Sequence, residues 1–412
     1  IAPLGGGFGG LLWGSAGITV PWECYQQYGD TILLSEHYDA MKRYIQYIID
    51  NTIETETNLI VQTRSWGDLC DWLGLEDEKN DKSLVWEAYF IYDLELMAKM
   101  ATVLGKVTDA EWFRELHAAR KDFFNKTYIE PETGKTLFSA FVPEKKGSHI
   151  DIQTSYVLPL AFNIIDEENR NKVIANLAET VRRENTTDRG QQCPSYSLMT
   201  GFIGTSWINK ALSDYGHSDL AYRLLQQTSY PSWLYSIEQG ATTIWERLNS
   251  YTRTDGFGGN NRMNSFNHYS FGAVGAWMYN YSLGIQRDET FPGFKQFVLK
   301  PMPDPTGKMT YARGYYDSMY GRIESGWKVE SGVIRYTFTV PANTTATLYL
   351  PTASLRDVRE KTKPVRKCKG VEFISEGNGE VVLKLLSGSY SFEVKKDYPL
   401  AARKRKKYVF VR

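Results

Sequence analysis

Apolar residues recur at intervals of three and four along most of the chain up to about residue 285. In the segment LLSEHYDAMKRYIQYIID, one face of a predicted helix collects Leu34, Tyr38, Met41, Ile45 and Ile48. The segment SLVWEAYFIYDLELMAKMATVLG repeats this spacing with more apolar positions. Three helical patterns end at a glycine and resume within a few residues, in YGDTILLSEHY, LGKVTDAEWF and YGHSDLAYRLL. The sequence therefore predicts antiparallel helix pairs joined by short turns.

Local signals suggest where two of these helices begin and end. Ser83 is the expected N-cap of the second apolar helix, and Gly105 is expected to end it in a left-handed conformation. Thr108, followed by Glu111, has the spacing of a capping box for the next helix.

The periodicity changes after residue 285. Alternating apolar and polar positions in GWKVESGVIRYTFTVPANTTATLYLP and GEVVLKLLSGSYSFEVK predict antiparallel strands. Because the helical segments come first and the strands later, the helices and the strands are expected to form two separate layers instead of one interleaved sheet. We therefore predict a mainly α chain with a helical domain at residues 1–288, a β-sandwich at 289–397 and a basic tail at 398–412.

Charge and composition exclude several classes of partner. Lys and Arg number 48, as do Asp and Glu, so no net field attracts nucleic acid or an anionic membrane. The run RKRKK is confined to the tail and is expected to be solvated. No apolar run reaches the roughly 18 residues of a membrane-spanning helix. Neither nucleic acid nor a membrane is an expected partner, and the oligomeric state is left open.

The cysteines and the first residue bear on the cellular compartment. The four cysteines are far apart and lack C-x-x-C spacing, which favours buried thiols over a metal site or disulfides. The chain begins with Ile1 instead of Met, so the native start is expected to be absent. The compartment is therefore open, with a periplasmic or secreted location favoured over the cytoplasm.

Motifs for metal, nucleotide and serine-hydrolase chemistry are missing. There is no H-E-x-x-H and no G-x-S-x-G, and ETGKT lacks the first glycine of a phosphate-binding loop. We accordingly predict no metal and no cofactor. The sequence is instead rich in aromatic residues, with 11 Trp and 27 Tyr, whose rings can fill a core or stack on sugar rings.

One segment combines aromatic rings with a carboxylate. In YPSWLYSIEQGATTIWERLNS, Trp233, Tyr235, Trp245 and Glu246 fall within fourteen residues, and His268 follows a glycine-rich loop. Cleavage of a glycosidic bond needs two carboxyl groups, one of which donates a proton. The residues alone leave two interpretations open: a catalytic Glu246, or a solvent-exposed glutamate followed by a structural histidine.

Several motifs, in order, resemble one family. These are WGSAGITVPWECYQQYGD, CDWLGLED, DIQTSYVLPLAFNII, TGFIGTSWINKALSDYGHSDLAYRLL, the segment around Glu246, MNSFNHYSFGAVGAWMY and PGFKQFVLKP. Together they resemble the bacterial α-L-rhamnosidases of glycoside hydrolase family 78 over nearly the whole chain up to about residue 394. The resemblance implies an (α/α)6 six-hairpin toroid followed by an antiparallel β-sandwich. It also implies a rhamnose-containing substrate and hydrolysis of terminal α-L-rhamnosyl residues with inversion.

The resemblance assigns roles to individual residues. Glu246 matches the general base that activates water, and His268 matches a residue that lines the sugar subsite. The rings implied to face the sugar are Trp245, Trp233, Trp72 and Trp13. Asp71 is implied to bind a hydroxyl, although Cys70 replaces the glycine before it, and Asp68 is the alternative.

Two departures from the family pattern matter. Ser15 stands where the family often has Asp. The family's general acid lies in an R-D-E-R-x-G-W-x-G-D motif that this sequence lacks, so the acid is expected upstream of Ile1 and the toroid is expected to be incomplete at its N-terminus. An acid within the chain, such as Glu76 or Asp77, is the less favoured alternative.

Other functions stay open beside hydrolysis. They are a non-catalytic carbohydrate-binding relative, another (α/α)6 exo-glycosidase, and a polysaccharide lyase. A lyase would need a Tyr or His base near a cluster of arginines that binds uronate, of which the segment around Glu246 supplies only Arg247.

Overall fold

A computed structural model describes residues 10–62, 69–258, 264–330, 332–361 and 363–395. Asp68 and the basic tail at 398–412 lie outside these residues. Contacts between Cα atoms divide the chain into two compact units, Ile1–Gly275 and Ala276–Arg412.

The first unit consists of helices that contact their neighbours in sequence. The helices are α1 (Ala16–Tyr28), α2 (Ile32–Thr52), α3 (Lys82–Val103), α4 (Val107–Tyr128), α5 (Gln153–Ala161), α6 (Glu167–Arg182), α7 (Phe202–Thr205), α8 (Ile208–Asp214), α9 (Ser218–Gln226), α10 (Trp233–Glu238) and α11 (Val274–Trp277), the last of which ends two residues past the boundary. Helix α1 packs on α2, α3 on α4, α5 on α6 and α8 on α9. The predicted helix pairs are confirmed.

The apolar stripes explain these contacts. All five stripe residues of α2 are buried, as the spacing predicts. Helix α3 is buried on nearly every face, because it packs on α1, α2, α4 and α5. The turn between α3 and α4 passes through Gly105 with φ +69°, and Gly29 ends α1 with φ +72°. Side chains with a Cβ are strained at such angles, so glycine is needed where these helices stop.

The predicted N-caps of α3 and α4 are wrong. Asp81 caps α3 by accepting a hydrogen bond from the Ser83 amide at 2.9 Å, and Ser83 lies inside the helix, with its hydroxyl 2.9 Å from the Tyr128 hydroxyl. Helix α4 begins at Val107 after Lys106, so Thr108 lies within its first turn and caps nothing.

The second unit is a β-sandwich. Its strands are β3 (Ile285–Arg287), β4 (Gln296–Leu299), β5 (Tyr311–Ser318), β6 (Gly321–Glu330), β7 (Val333–Val340), β8 (Thr345–Leu350), β9 (Val358–Glu360), β10 (Lys363–Pro364), β11 (Val371–Gly377), β12 (Glu380–Leu385) and β13 (Gly388–Lys395); the short strands β1 (Asn185–Thr186) and β2 (Gln192–Cys193) form a hairpin in the first unit. One sheet has the order β10-β9-β13-β7-β6-β5, and the other has the order β11-β12-β8-β4-β3. All pairs are antiparallel except β4 with β8. Side chains of both sheets, among them Phe297, Trp327, Leu348 and Phe392, share one core.

The cysteines only partly follow the prediction of buried thiols. All four are free thiols; Cys70 and Cys193 are buried, whereas Cys24 and Cys368 are partly exposed. Within the part of the chain that the structure describes, no helix combines the length and the apolar character needed to cross a bilayer.

Ser15, which stands where the family often has Asp, contacts a buried carboxyl of α3. The Ser15 hydroxyl donates to Asp93 Oδ2 at 2.6 Å, and Asp93 Oδ1 has no hydrogen-bond partner among the described residues. Burial raises the pKa of Asp93 from its ordinary value of 3.8 to about 8. The folded protein therefore keeps a proton on Asp93 at neutral pH, whereas the unfolded chain has lost it.

This difference predicts a pH dependence of stability. Between about pH 4 and pH 8 the unfolded state binds fewer protons than the folded state at this site, so the free energy of unfolding falls as pH rises. Asp93→Asn cannot ionise and is expected to remove this part of the fall. The melting temperatures of the wild-type protein and of Asp93→Asn, measured across that pH interval, should change with pH at different slopes. Equal slopes would contradict the retention of a proton on Asp93 in the folded state.

Candidate active site

Two segments run side by side and bring Glu246 next to His268 in the fold. The Glu246 amide donates to the Ser265 carbonyl at 2.8 Å, and the His268 amide donates to the Ile244 carbonyl at 2.9 Å. These two bonds pair residues 244–246 with residues 265–268. A glutamate and a histidine that are 22 positions apart in sequence thus lie on adjacent chain segments.

The Glu246 side chain is half-buried and held on one side. Its Oε2 atom accepts a hydrogen bond from the Ser265 amide at 2.9 Å. Among the described residues, Oε1 has no hydrogen-bond partner and can accept one from water. The preceding Trp245 is 7% exposed, and its ring meets the edge of Phe266 at a centroid distance of 5.3 Å. The Ser265 amide therefore holds one carboxylate oxygen and leaves the other for chemistry.

Aromatic contacts link His268 to the loop that carries Trp72. The His268 ring lies 4.7 Å from Phe202 and stacks on Tyr269 at 5.2 Å. The amide of Phe202 donates to the Trp72 carbonyl at 2.9 Å, and its ring meets Phe271 edge-on at 5.3 Å. Phe202, which sequence reasoning did not single out, is thus the residue that joins the histidine to the Trp72 loop.

The other predicted tryptophans have different surroundings. Trp233 is 7% exposed, and its indole N–H donates to the Phe271 carbonyl at 2.8 Å. Trp13 is half-buried in the segment before α1 and takes no part in the contacts described above. Stacking of a sugar on either ring stays a prediction.

Asp71 anchors its loop to the start of α7. The Thr154 hydroxyl and the Gly201 amide, the latter at 2.8 Å, donate to Oδ2. The amides of Ile203 and Gly204 donate to Oδ1 at 2.9 and 3.0 Å. These amides belong to the beginning of a helix, where backbone donors lack partners within the helix. Asp71 is only 1% exposed, and its contact with a sugar hydroxyl stays a prediction.

This arrangement predicts that Asp71→Asn destabilises the protein. The new amide group presents hydrogens to backbone donors, so at least one of them loses its acceptor. A buried donor without a partner costs about 1–3 kcal/mol. Urea unfolding should show this loss, whereas the control Asp122→Asn, on the exposed face of α4, should leave the midpoint nearly unchanged. Equal midpoints for the two variants would refute the anchoring role.

Two other acids lie on the same loop. Glu76 is buried, and its Oε1 atom lies 3.4 Å from the Lys79 ammonium. Asp77 accepts a hydrogen bond from the Asp71 amide at 3.0 Å, and burial raises the pKa of Asp77 to about 7. Asp77 as a general acid within the chain stays an alternative prediction.

A cavity of about 500 Å³ adjoins the Glu246 segment. Residues from several loops line it, including Trp72, Arg189, Tyr230, Arg247, Phe257 and Asn264. Trp72 lines this cavity, and so does Asp77, the alternative acid; Glu246, His268 and the other predicted site residues that the structure describes do not. Glu246 lies beside its wall, because Arg247 follows it directly and Asn264 precedes Ser265. Within the described ranges, no cluster of three or more His, Cys, Asp or Glu side chains is arranged to hold a metal ion.

The first unit thus has paired helices whose connecting loops carry a carboxylate and aromatic side chains, and a β-sandwich follows it in sequence. This is the architecture expected of a six-hairpin domain with a C-terminal β-domain. Residues 1–282 match the model of the bacterial alpha-L-rhamnosidase 6 hairpin glycosidase domain, and residues 284–364 match that of the bacterial alpha-L-rhamnosidase C-terminal domain. The chain therefore belongs to the bacterial α-L-rhamnosidase family.

Individual relatives support this membership. An α-L-rhamnosidase of Streptomyces avermitilis is 34% identical over 394 residues, which cover 96% of this chain and 34% of that protein. One from Formosa agariphila is 31% identical over 389 residues, covering 93% of this chain and 38% of that protein. The chain thus spans about a third of the length of these curated relatives.

Solved structures agree with the fold. A Streptomyces avermitilis α-L-rhamnosidase complexed with L-rhamnose matches with a TM-score of 0.79 and 33% identity, over 96% of this chain and 34% of that one. An α-L-rhamnosidase from Dictyoglumus thermophilum matches with a TM-score of 0.77 and 29% identity, over 94% of this chain and 40% of that one. The predicted fold class, a helical-hairpin domain followed by a β-sandwich, is confirmed.

Proposed function

We propose that this protein hydrolyses terminal α-L-rhamnosyl residues of glycans or glycosides, with inversion at the anomeric carbon. Family membership supports the reaction class, and the rhamnose in the related Streptomyces avermitilis structure supports the sugar. The observation that carries the proposal is the Glu246 carboxylate, held by the Ser265 amide next to His268 with one oxygen available.

In this mechanism Glu246 acts as the general base. Its free oxygen takes a proton from a water molecule as that water attacks the anomeric carbon. An inverting enzyme needs a second carboxyl about 6.5–9.5 Å from the first, so that the water fits between the base and the sugar. The hydrogen bond from Ser265 holds Oε2 and leaves Oε1 to take the proton.

The other predicted residues have roles in binding. His268, held against Phe202, is proposed to hydrogen-bond a hydroxyl of the rhamnose. The rings of Trp245, Trp233, Trp72 and Trp13 are proposed to surround the apolar face of the sugar, which includes the methyl group of a 6-deoxyhexose.

The proton donor is proposed to lie in the R-D-E-R-x-G-W-x-G-D motif that the family carries before the tryptophan loop. Asp77 is the weaker candidate. Its carboxylate already accepts the Asp71 amide and lies beside the buried Cys70 thiol, which restricts its movement toward a leaving group.

The direct test is to incubate the intact gene product with an aryl α-L-rhamnoside and to follow the first-formed sugar by NMR. Release of the β-anomer of L-rhamnose supports inverting hydrolysis, and release of the α-anomer contradicts it. Rhamnose binding in calorimetry without any turnover would instead identify a non-catalytic carbohydrate-binding protein. A periplasmic or secreted location is also proposed, and cell fractionation tests it.

A further inference from the structure

The cavity beside Glu246 contains two arginines from different loops. Arg247 follows Glu246 directly, and Arg189 lies between strands β1 and β2. Both arginines line the same cavity as Tyr230. The charge of each lowers the pKa of Tyr230 against the larger rise caused by burial. Among the described residues, neither guanidinium pairs with a carboxylate. The cavity therefore holds two positive charges that no acid of the described chain neutralises directly.

The position of Arg189 is fixed by backbone hydrogen bonds. The Gly190 amide closes the hairpin turn by donating to the Thr187 carbonyl at 3.0 Å. The Asp188 amide donates to the Leu75 carbonyl at 2.8 Å, and the Glu78 amide donates to Asp188 Oδ2 at 3.0 Å. These bonds tie the hairpin to the loop that carries Trp72. Arg189 is thus held beside a sugar-stacking candidate without being buried itself.

Acidic residues in the same cavity do not cancel this charge. Asp77 and Asp188 each accept a hydrogen bond from a backbone amide, so their carboxylates are directed toward the protein. Burial raises the pKa of Asp77 to about 7 and raises that of Asp188 above its ordinary value. Glu78 is exposed to solvent, where its charge is screened.

We propose that this cavity binds the sugar to which the terminal rhamnose is attached, and that it selects a uronic acid whose carboxylate Arg189 and Arg247 bind. Arginine is suited to this role because its planar guanidinium forms paired hydrogen bonds with a carboxylate. Tyr230 lines the same cavity as both arginines, and the rings of Trp72 and Phe257 line it as stacking surfaces. The volume is of the size that holds a small ligand. This inference rests on the proposed rhamnosidase function.

The test compares two disaccharides that differ in one group. The intact gene product is assayed on L-rhamnose α-linked to glucuronic acid and on the same linkage to glucose, and the ratio of the two kcat/KM values is measured. Charge-assisted hydrogen bonds predict a ratio of about 10 or more in favour of the acidic substrate. Arg189→Gln is expected to lower this ratio about tenfold. Because Arg189 is exposed, the substitution leaves the fold intact.

Two further variants sharpen the result. Arg247→Gln, which changes the second arginine of the cavity, should also lower the ratio of the two kcat/KM values. The control Arg43→Gln, on the exposed face of α2, should leave this ratio unchanged. A wild-type ratio near one, or equal ratios in Arg189→Gln and Arg43→Gln, would overturn the uronate site while leaving the rhamnosidase function standing. No release of rhamnose from either substrate would instead refute the proposed function.

The same arginines bear on the lyase alternative, which requires a base near a uronate. Tyr230 is the base candidate beside them, but burial raises the pKa of Tyr230 to about 12, so the phenol keeps its proton at neutral pH. Unsaturated products that absorb in the ultraviolet would contradict the rhamnosidase function, and with it the assignment of this cavity as the subsite next to a hydrolysed rhamnosyl bond.

Discussion

Glu246→Gln is expected to lower the kcat of the intact gene product on an aryl α-L-rhamnoside by about 10²–10⁴-fold. Glutamine has the same shape as glutamate, and its side-chain oxygen can still accept the Ser265 amide that now bonds Oε2 at 2.9 Å. The position of the side chain is therefore preserved, while the capacity to take a proton from water is lost. The KM should change little, because substrate binding does not depend on the base.

The control for this variant is Glu238→Gln, at the exposed end of α10, only eight positions earlier. It makes the same chemical change without affecting the site and should keep the wild-type rate. A pH profile adds an independent measure: the acidic limb of kcat/KM, which reports protonation of the base, should disappear in Glu246→Gln. If Glu246→Gln and Glu238→Gln have equal rates, Glu246 is not the base.

Periodicity predicted the helices because each buries one face against a neighbour. The stripe of α2 shows this directly, since the residues at spacings of three and four are those with almost no exposed surface. The helix starts were less predictable. Asp81 caps α3 and also accepts the amide of Ser139 at 2.7 Å, 58 positions away. A distant contact of that kind decides between Asp81 and Ser83, and the local sequence does not contain it.

The candidate site likewise combines features that the local sequence predicts with features that depend on distant contacts. Trp245 and Glu246 are neighbours in sequence, but the pairing of residues 244–246 with residues 265–268 depends on how the intervening loop folds. The residues alone therefore left the role of Glu246 undecided, and only the family resemblance assigned one. Arg189 was missed for a similar reason. It reaches the cavity because the hairpin bonds to the Trp72 loop more than a hundred positions earlier, and no motif marks that contact.

Arg120→Met is expected to cost about 3–5 kcal/mol of stability, the largest loss we predict for a single side chain. Arg120 on α4 donates through Nε to Glu87 Oε1 on α3 at 2.7 Å and through a terminal nitrogen to Glu87 Oε2. It also donates to the side chain and backbone of Asn58 at 2.9 and 3.1 Å. Glu87 has no exposed surface. Methionine fills similar space but leaves the carboxylate buried and unpaired, which is the costly state.

Urea unfolding of Arg120→Met should be compared with that of Lys126→Met, which breaks the exposed pair with Asp122 on the same helix and should cost less than about 1 kcal/mol.

The loss of stability in Arg120→Met should also shrink as the pH is lowered. Burial raises the pKa of Glu87 even beside Arg120, and without the arginine the carboxyl takes a proton more readily in the folded state than in the unfolded chain. A second substitution, Glu87→Leu, removes the unpaired charge and should recover much of the stability. If the two methionine variants are equally stable, the ion pair between Arg120 and Glu87 does not hold α3 to α4. The apolar contact between the two helices then holds them alone.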